Sequence, residues 1–488
     1  MFGVLFTRLF VDSKKVIIGM LIGLLLVIFL QFIVGPYRWQ MVPIYFFAFV
    51  FIIVSVFKIT IFKENRFFIK NKVLRVISNT AVVGMLVISL VLASLLPVKD
   101  LPELSGSYTV GVMDLSLTDN DREESFTSDA GDYRNLSVTV WYPTEDGNEN
   151  ELKTYWDEDL LISKAVAEYQ GLFSFTYSHL SLVKTNSHID APVSSEEESF
   201  PVLIYSHSNF GINTENTMLY ESLASNGYIV FSINHTYESI GSLFPNGEII
   251  PSNSAYLSES YDSNIDLQDE LFVQFDNADN IEEKNRIIEE LLTIDKLLIE
   301  MVNIRTADAI FVLDELEIMN SNNDNVFFSK IDLEKIGMFG WSLGGATSEE
   351  TCIADSRVKA CANMDGYPYG ELFQSSEFIQ QPFMYIISDR DSELDELVTD
   401  LVYDKLSNDA FIVSVKDTEH SNFMDLSYLI PLFEYLGFWG PIDPGILNDI
   451  NGNLLLGFFD KYLLEKDIDI EVISDQYIET TITAKYID

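Results

Sequence analysis

The chain has 488 residues, enough for more than one domain, and its 75 acidic against 30 basic residues give a formal net charge of −45. A nucleic-acid partner is excluded, because so negative a surface repels a phosphate backbone instead of neutralising it. The charge is unevenly distributed, since Asp12 and Glu64 are the only acidic residues among the first 99. The composition therefore predicts two regions of different character, 1–99 and 100–488.

Residues 1–99 contain three long apolar stretches that predict transmembrane helices. Their bounds are about 16–34, 41–57 and 77–98, and none of them contains Asp, Glu, Lys or Arg. Each is close to the ~20 apolar residues that the hydrocarbon core of a bilayer requires. A cleavable signal peptide is disfavoured, because there are three stretches and the first does not end in a small-residue cleavage site.

The basic residues beside these stretches predict their orientation, since short loops rich in Lys and Arg stay in the cytoplasm. Such residues are concentrated before the first stretch and between the second and third, whereas Arg38 stands alone between the first and second. We therefore expect a multi-pass protein of the cell membrane with a cytoplasmic N-terminus. Residues 100–488 would then form an extracytoplasmic domain.

From residue 100 onwards the pattern changes to alternating strands and helices. Apolar or alternating runs predict strands at 137–142, 201–206, 228–233, 358–364, 382–387 and 410–415. Helical spacing of apolar residues predicts helices over 281–318 and 454–463. Acid-rich residues from 251 to 280 precede the first of these helices and predict an insertion around 251–300. The alternation favours an α/β fold in which helices cover both faces of a mostly parallel sheet.

Residues 335–345 (KIGMFGWSLGG) place a short apolar strand directly before Gly-Trp-Ser-Leu-Gly and a helical pattern after it. This is the strand–turn–helix context in which G-x-S-x-G forms a nucleophile elbow. So tight a turn needs Gly340 and Gly344 beside the serine, and the following helix directs its N-terminal amides to the same point. A glycine-rich turn with a capping serine is the alternative. We predict that Ser342 is a catalytic nucleophile.

A serine hydroxyl needs a base that takes up its proton and an acid that orients the base. In an α/β-hydrolase these residues follow the serine in the order acid, histidine, and His420 is the one histidine of five that follows Ser342. The acid is open between two positions on the residues alone. Asp365 follows the strand after the elbow, and Asp389 and Asp391 follow the next strand.

An oxyanion hole needs two backbone amides directed at the developing negative charge. Leu343, directly after the nucleophile, should supply one of them. The loop 206–211, which follows the predicted strand PVLIYS, should supply the other, with Asn209 as the expected donor and Gly211 permitting the bend. His207 lies in the same loop, and we expect it to be a buried, hydrogen-bonded structural residue.

Six motifs spread over about residues 105–465 resemble those of a known family. They are VWYP at 140–143, YSHSNFG at 205–211, NH at 234–235, GWSLGG at 340–345, MDGY at 364–367 and EHSNF at 419–423. In sequence and order they resemble the α/β-hydrolases related to the secreted platelet-activating factor acetylhydrolase, the lipoprotein-associated phospholipase, and their bacterial relatives. The resemblance implies Asp365 as the acid, Asn209 and Leu343 as oxyanion donors, and metal-free hydrolysis of short acyl esters.

The chain departs from that family in two respects. Loop 206–211 has Ser208-Asn209 where the family usually has Gly followed by an apolar residue, and we expect this change to narrow or polarise the acyl pocket. The acidic residues near 251–280 and the three membrane stretches are additional. The substrate is therefore not carried over from the resemblance.

Cys352 and Cys361 lie on the predicted elbow helix and on the strand after it. An extracytoplasmic domain permits a disulfide, but a neighbouring helix and strand seldom present the required geometry, so we expect two buried thiols. Neither cysteine fits a nucleophile or a metal ligand. No zinc-ligand spacing, phosphate loop or dinucleotide motif occurs, so we predict no metal and no cofactor.

These observations together predict a membrane-anchored serine hydrolase that cleaves carboxylic esters through an acyl-enzyme on Ser342. Short-acyl or oxidised phospholipids are the expected substrates. A cutinase-like or general carboxylesterase that acts on soluble or polymeric esters is the alternative within this class. A non-catalytic, membrane-bound binding or sensing module is the alternative from a different class, and no obligate protein partner is indicated.

Overall fold

The computed structural model describes residues 14–35, 37–60, 72–129, 131–145, 150–157, 159–253, 265–370, 378–389 and 392–487. By its contacts the chain divides into two compact units. The first comprises Met1–Val98 with Leu429–Leu432, and the second comprises Lys99–Tyr428 with Phe433–Asp488.

Three long helices lie in the first unit: α1 (Lys14–Val34), α2 (Val42–Thr60) and α3 (Lys72–Leu95). The three predicted membrane stretches fall largely on them. Within the described part of the chain, however, only Trp39–Phe57 is long and apolar enough to cross a membrane. The apolar parts of the other two helices are the shorter segments Leu21–Gln31 and Val83–Leu95.

The described residues thus contain one weak candidate span instead of the three that were expected. In α3 the reason is visible in the sequence, because the helix begins with charged and polar residues. Lys72 and Arg75 are followed by Ser78, Asn79 and Thr80, which leaves a short apolar segment behind them. A single apolar helix near an N-terminus is also typical of a signal sequence.

The second unit contains strands and helices in alternation. Its strands are β1 (Thr109–Glu123), β2 (Tyr133–Thr144), β3 (Leu152–Thr154), β4 (Lys184–Ile189), β5 (Phe200–Ser206), β6 (Ile229–Asn234), β7 (Gly241–Leu243), β8 (Ile249–Pro251), β9 (Ile331–Trp341), β10 (Val358–Met364), β11 (Phe383–Ser388), β12 (Ala410–Val415) and β13 (Thr480–Lys485). The remaining helices are α4 (Leu161–Tyr169), α5 (Thr217–Ser225), α6 (Ile265–Asn277), α7 (Ile281–Ile294), α8 (Lys296–Ser321), α9 (Leu343–Ala354), α10 (Glu393–Asp404), α11 (Leu426–Leu429), α12 (Leu432–Tyr435), α13 (Pro444–Leu463) and α14 (Ile470–Ser474).

Eleven of these strands form one sheet in the order β13-β12-β11-β10-β9-β5-β6-β2-β1-β4-β3. The six consecutive strands from β12 to β6 are parallel to one another, and antiparallel pairs flank them on both sides. The six runs predicted as strands all lie in this sheet, in β2, β5, β6, β10, β11 and β12. The mixed α/β class with a mostly parallel sheet is therefore confirmed.

Helices cover both faces of the sheet because its central strands are apolar on both sides. In β5, Leu203 and Tyr205 pack in the cluster that contains residues of α5 and α13. Val202 and Ile204 point the opposite way and pack in the cluster that contains residues of α8. Successive side chains of a strand alternate between faces, so one strand contributes to both cores.

The helical pattern predicted over 281–318 is two helices in the structure, α7 and α8. Asp295 separates them, and its carboxylate accepts a hydrogen bond from the Leu298 amide at 3.2 Å as the cap of α8. This capping is the reason for the break, since it satisfies an amide that lacks a helical partner. Apolar residues of α6 and α7 pack against Leu397 and Val398 of α10. Part of the predicted insertion, 254–264, lies outside the described residues.

Cys352 of α9 and Cys361 of β10 form a disulfide, so the expectation of two free thiols is wrong. Both residues are buried in the core on the same face of the sheet. Helix α9 returns over the sheet and leads directly into β10, which brings the two Cα atoms to 6.6 Å from each other. That separation is near the upper end of the range that a disulfide spans.

Candidate active site

Ser342 occupies the turn between β9 and α9 with a backbone φ of 57° and ψ of −124°. A residue with a side chain seldom adopts a positive φ, and such strain is typical of functional turns. Gly344 allows the turn to close, because a methyl group on it would lie 1.9 Å from the Ser206 carbonyl oxygen. The structure thus has the strand–turn–helix geometry that the motif predicts.

His420 lies between Ser342 and Asp365 and contacts both. Its Nε2 is 2.9 Å from the Ser342 Oγ, and its Nδ1 is 2.6 Å from Asp365 Oδ2. Asp365 directly follows β10, and His420 begins a short 3₁₀ turn after β12. Because parallel strands end at the same edge of a sheet, residues far apart in the chain meet there. The structure therefore brings all three predicted residues together.

Asp365 is wholly buried and is held by Ser388, the last residue of β11. Its Oδ1 accepts hydrogen bonds from the Ser388 amide at 2.7 Å and the Ser388 hydroxyl at 2.9 Å. These donors fix the carboxylate so that Oδ2 points at the histidine. Ser388 was not predicted from the sequence, although its position as a polar residue at the end of a buried strand was a usable signal.

Asp389, the alternative acid, has a different role in the structure. Its carboxylate accepts a hydrogen bond from the Asp417 amide at 2.8 Å, and its own amide donates to the Thr418 hydroxyl at 3.0 Å. It thus joins the loops after β11 and β12. Asp391 lies outside the described residues. Asp365 is the aspartate that the structure places against His420.

A cavity of about 590 Å³ opens beside these residues, and both expected oxyanion donors line it. Leu343 is the first residue of α9, where backbone amides have no helical partner. Asn209 lies in the loop after β5 and also lines the cavity. The other lining residues are mostly polar or acidic, with three apolar or aromatic side chains, and comprise Gln268, Asp295, Leu298, Tyr367, Tyr369, Ser388, Asp389, Ser392, Asp395 and Glu419.

His207 is wholly buried and does not contact Ser342, Asp365 or His420. Its Nε2 accepts a hydrogen bond from the His235 amide at 3.1 Å, so the ring proton is on Nδ1, which lies 2.6 Å from the Ser208 carbonyl oxygen. Burial, with the nearby Arg305 guanidinium, holds the pKa of His207 well below its usual range. His207 is therefore a neutral structural residue whose two ring nitrogens both take part in hydrogen bonds.

A second serine, histidine and aspartate have the same connectivity beneath the sheet edge. Ser206 Oγ is 2.9 Å from His235 Nε2, and His235 Nδ1 is 2.8 Å from Asp308 Oδ2. All three side chains are wholly buried, and Arg134 binds Asp308 at 2.6 Å. An ester cannot reach Ser206, so exposure to the cavity is what distinguishes Ser342. This buried group was not predicted from the sequence, although the motif at 234–235 contained its histidine.

In the described residues, the potential metal ligands are the histidine and aspartate of this buried group together with Glu238. Ligand atoms of His235, Glu238 and Asp308 lie within 4.8 Å of one another. Two guanidinium groups already neutralise the carboxylates: that of Arg134 lies 2.6 Å from Asp308, and that of Arg305 lies 3.6 Å from Glu238. Such an arrangement suits an ion-pair network better than a cation site.

The fold and this arrangement of side chains at the sheet edge are those of an α/β-hydrolase. The particular family follows from comparison with known proteins. Residues 94–476 match the family model described as platelet-activating factor acetylhydrolase, isoform II. The chain belongs to this family and is a carboxylic ester hydrolase. Family membership removes the non-catalytic binding module from the alternatives.

The curated relatives are distant in sequence but matched over most of their length. The platelet-activating factor acetylhydrolase of Cavia porcellus is 22% identical over 379 residues, which are 76% of this chain and 79% of the relative. The enzyme of Bos taurus is 24% identical over 389 residues, with the same coverage. Among solved structures, the ferulic acid esterase from Streptomyces cinnamoneus has a TM-score of 0.60 at 22% identity, covering 79% of this chain and 99% of that one. This last likeness concerns the fold alone.

Proposed function

We propose that the protein cleaves carboxylic esters by a Ser342–His420–Asp365 mechanism. The observation that supports this proposal is the position of the His420 ring, with one nitrogen 2.9 Å from the Ser342 hydroxyl and the other 2.6 Å from the Asp365 carboxylate. A base within 3 Å of a hydroxyl at a strained, cavity-facing turn is the arrangement that activates a serine.

In the first half of the reaction the Ser342 oxygen attacks the ester carbonyl and its proton passes to His420 Nε2. Asp365 accepts the Nδ1–H bond and stabilises the imidazolium that forms. The amides of Leu343 and Asn209 stabilise the oxyanion of the tetrahedral intermediate. The intermediate collapses to an acyl-serine, and His420 returns its proton to the departing alcohol. Water then cleaves the acyl-serine by the same steps, which releases the carboxylic acid.

The substrate class that we propose is phospholipid with a short or oxidised acyl chain. The family and its curated relatives carry the name of platelet-activating factor acetylhydrolase, which supports a lipid ester. A cutinase-like or general carboxylesterase activity on soluble or polymeric esters is the alternative. Hydrolysis rates over a series of acyl-chain lengths, measured on vesicles and on soluble esters, distinguish the two.

We also propose that the N-terminal region anchors the enzyme in the cell membrane as a multi-pass segment, with residues 100–488 outside the cytoplasm. The candidate span Trp39–Phe57 supports an anchor. The orientation follows from the distribution of basic residues when all three apolar stretches of the sequence cross the membrane. An anchored hydrolase would meet esters that partition into the lipid.

Labelling with a fluorescent fluorophosphonate tests the mechanism directly. The full chain, purified in detergent, is treated with the probe, and the adduct is located by peptide mass spectrometry. We expect the label on Ser342, its loss in Ser342→Ala and its strong reduction in His420→Ala. The buried Ser206 serves as the internal control and should stay unlabelled. A folded wild-type protein without label on Ser342 would contradict the proposal.

A further inference from the structure

Ser208, one of the two residues by which the loop 206–211 departs from the family, does not contribute to the acyl pocket. Its side chain is 5% exposed and does not line the cavity. Instead the hydroxyl donates to Glu215 Oε2 at 2.9 Å, and the Ser208 amide donates to Glu215 Oε1 at 2.8 Å. Ser208 therefore does not polarise the pocket, because the buried Glu215 carboxylate accepts its hydroxyl, whereas Asn209 of the same pair lines the cavity.

The carbonyl oxygen of Ser208 is also held by hydrogen bonds, one of them from the Gly211 amide at 3.0 Å. The Ser208 carbonyl oxygen accepts a hydrogen bond from His207 Nδ1 at 2.6 Å. Arg305 Nη1 lies 3.4 Å from the same oxygen and 2.7 Å from the carbonyl oxygen of His207. Arg305 is a wholly buried residue of α8, so a charged side chain from another element supports the loop.

These hydrogen bonds to Ser208 also determine the direction of the N–H of the next residue, Asn209. The peptide between Ser208 and Asn209 is trans and planar, so its N–H points opposite to its C=O. Fixing the Ser208 carbonyl towards Arg305 and His207 therefore fixes the Asn209 N–H in the opposite direction. We infer that Glu215 and Arg305 are positioning residues of the oxyanion hole, which hold Ser208 from both sides and thereby aim the Asn209 amide.

Further contacts hold Glu215 in this position. The Tyr205 hydroxyl is a third donor to it at 2.7 Å. Gly211 leaves room for the side chain, because a methyl group there would lie 2.2 Å from Glu215 Oε2. The Glu215 carbonyl oxygen also accepts a hydrogen bond from the Asp425 amide at 2.9 Å. Asp425 lies five residues after His420, so the same glutamate joins the oxyanion loop to the loop of the catalytic histidine.

The inference rests on the proposed function, since it assigns a role within that mechanism. Its test compares an oxygen ester with the matching thionoester, in which sulfur replaces the carbonyl oxygen. Sulfur gains little from oxyanion donors, so misdirected donors reduce the rate ratio of the two substrates. Losing one oxyanion donor costs about 100-fold in kcat or more. For Glu215→Ala we expect a loss of about that size on the oxygen ester, a KM within about 3-fold of wild type, and a lower ratio of oxygen-ester to thionoester rates.

Two further variants separate positioning from stability. Glu215→Gln keeps an acceptor for the Ser208 amide, so it should recover most of the activity that the alanine variant loses. Glu221→Gln is the matched control, because Glu221 is also a buried glutamate but receives its hydrogen bonds from Asn186 and Ser187, away from the loop. Its rate ratio should equal that of the wild type, even if its melting temperature falls.

Ser208→Ala keeps the evidence available if Glu215→Ala does not fold. It removes only the hydrogen bond of the hydroxyl and should lower kcat by about 5-fold, with a smaller decrease in the rate ratio in the same direction. An unchanged ratio in folded Glu215→Ala, or in Ser208→Ala where the former does not fold, overturns the inference. Wild-type labelling at Ser342 would leave the proposed mechanism intact in that case, whereas absence of labelling would refute the mechanism first.

Discussion

His420 is 45% exposed in its side chain, whereas the Asp365 side chain that it contacts is wholly buried. The Nδ1 proton is therefore shielded from water, and the Nε2 side faces the cavity where an ester would bind. A buried carboxylate beside a partly exposed imidazole keeps one tautomer and one ring orientation. Ser388 contributes to the same end, because its two hydrogen bonds prevent the carboxylate from turning away from the ring.

The two candidate acids differ in what their loss should do. Asp365→Asn should lower kcat by about 10⁴-fold, since the amide no longer holds the imidazole in the productive tautomer or stabilises its charge. Asp389→Asn should stay within about 3-fold of wild type, because Asp389 lines the cavity without a hydrogen bond to His420 and its asparagine variant can still accept from the Asp417 amide. Steady-state kinetics of both variants on a chromogenic ester measure the difference. Equal losses would show that the choice of acid is wrong.

Glu349 is a second residue whose environment has a measurable consequence. It lies in α9, is 1% exposed, and accepts a hydrogen bond from Asn363 at 2.7 Å. Burial raises the pKa of Glu349 to about 8 from an ordinary value of 4.5, and the Asn363 hydrogen bond opposes this only in part. The folded protein therefore keeps a proton that the unfolded chain has already released at neutral pH.

The stability of the protein should consequently fall as pH rises from 7 to about 8.5. The native state binds more protons than the unfolded state in this window, so its free energy of unfolding decreases with pH. His207 and His235, whose pKa values burial lowers, act in the opposite sense only below their ordinary value of 6.5. Thermal melts at several pH values measure the slope.

The matched variant for this effect is Glu349→Gln, which is neutral at every pH. Its melting temperature should lose less than that of the wild type between pH 7 and 8.5, and the two should differ most at the alkaline end. Identical slopes would mean that Glu349 is ionised in the folded protein throughout this range.

At the scale of elements, α9 and β10 are the pair on which the site depends most. Helix α9 begins directly after Ser342 and β10 ends directly before Asp365, so their packing sets the distance between two of the three residues of the proposed mechanism. The disulfide between Cys352 and Cys361 joins them near the other end of the helix. It closes a loop of sequence separation 9, which excludes some extended conformations of the unfolded chain.

Removing this cross-link by Cys352→Ala with Cys361→Ala should lower the free energy of unfolding by about 2.5 kcal/mol, as expected for a short closed loop. Equilibrium unfolding in urea measures the loss, and wild-type protein under reducing conditions is the comparison. A thiol reagent added to denatured, unreduced protein should label neither cysteine. Labelling of both would restore the interpretation as two buried thiols.

At the scale of the whole molecule, the two regions differ in charge. The first 99 residues contain almost no acidic residue, and the acidic excess lies in the remainder of the chain. An outer domain would also be consistent with the disulfide, since such bonds persist in oxidising compartments. The acidity itself favours solubility of the domain, and it does not determine the fold.

Topology in cells provides the test at this scale. The full chain should remain with the membrane fraction after an alkaline carbonate wash. Protease added to intact cells should degrade the region after residue 99 while an N-terminal tag stays protected. Release by the wash would show that the apolar helix is not an anchor, and protection of both ends would contradict the proposed orientation.

The sequence by itself determined the features that depend on neighbours along the chain. The six predicted strands and the elbow of Ser342 were recognisable because period, apolar runs and glycine spacing are local properties. The order of serine, aspartate and histidine also limited the base to His420, since no other histidine follows the nucleophile. Long apolar stretches were recognisable as well. Among the described residues, however, only one helix is long and apolar enough to be a span, because the positions of the helix ends and the charged residues there shorten the others.

Only the tertiary structure decided between residues whose roles depend on distant parts of the chain. Asp365 and Asp389 follow adjacent strands, and which of them meets a histidine 55 residues beyond Asp365 depends on how three strand ends converge. The disulfide depends on the path of α9, which returns over the sheet and places Cys352 beside Cys361 of β10. The direction of the Ser208 hydroxyl required a glutamate seven residues ahead, and its carbonyl required an arginine 97 residues ahead. Such contacts leave no periodic pattern in the sequence, because folding alone brings their members together.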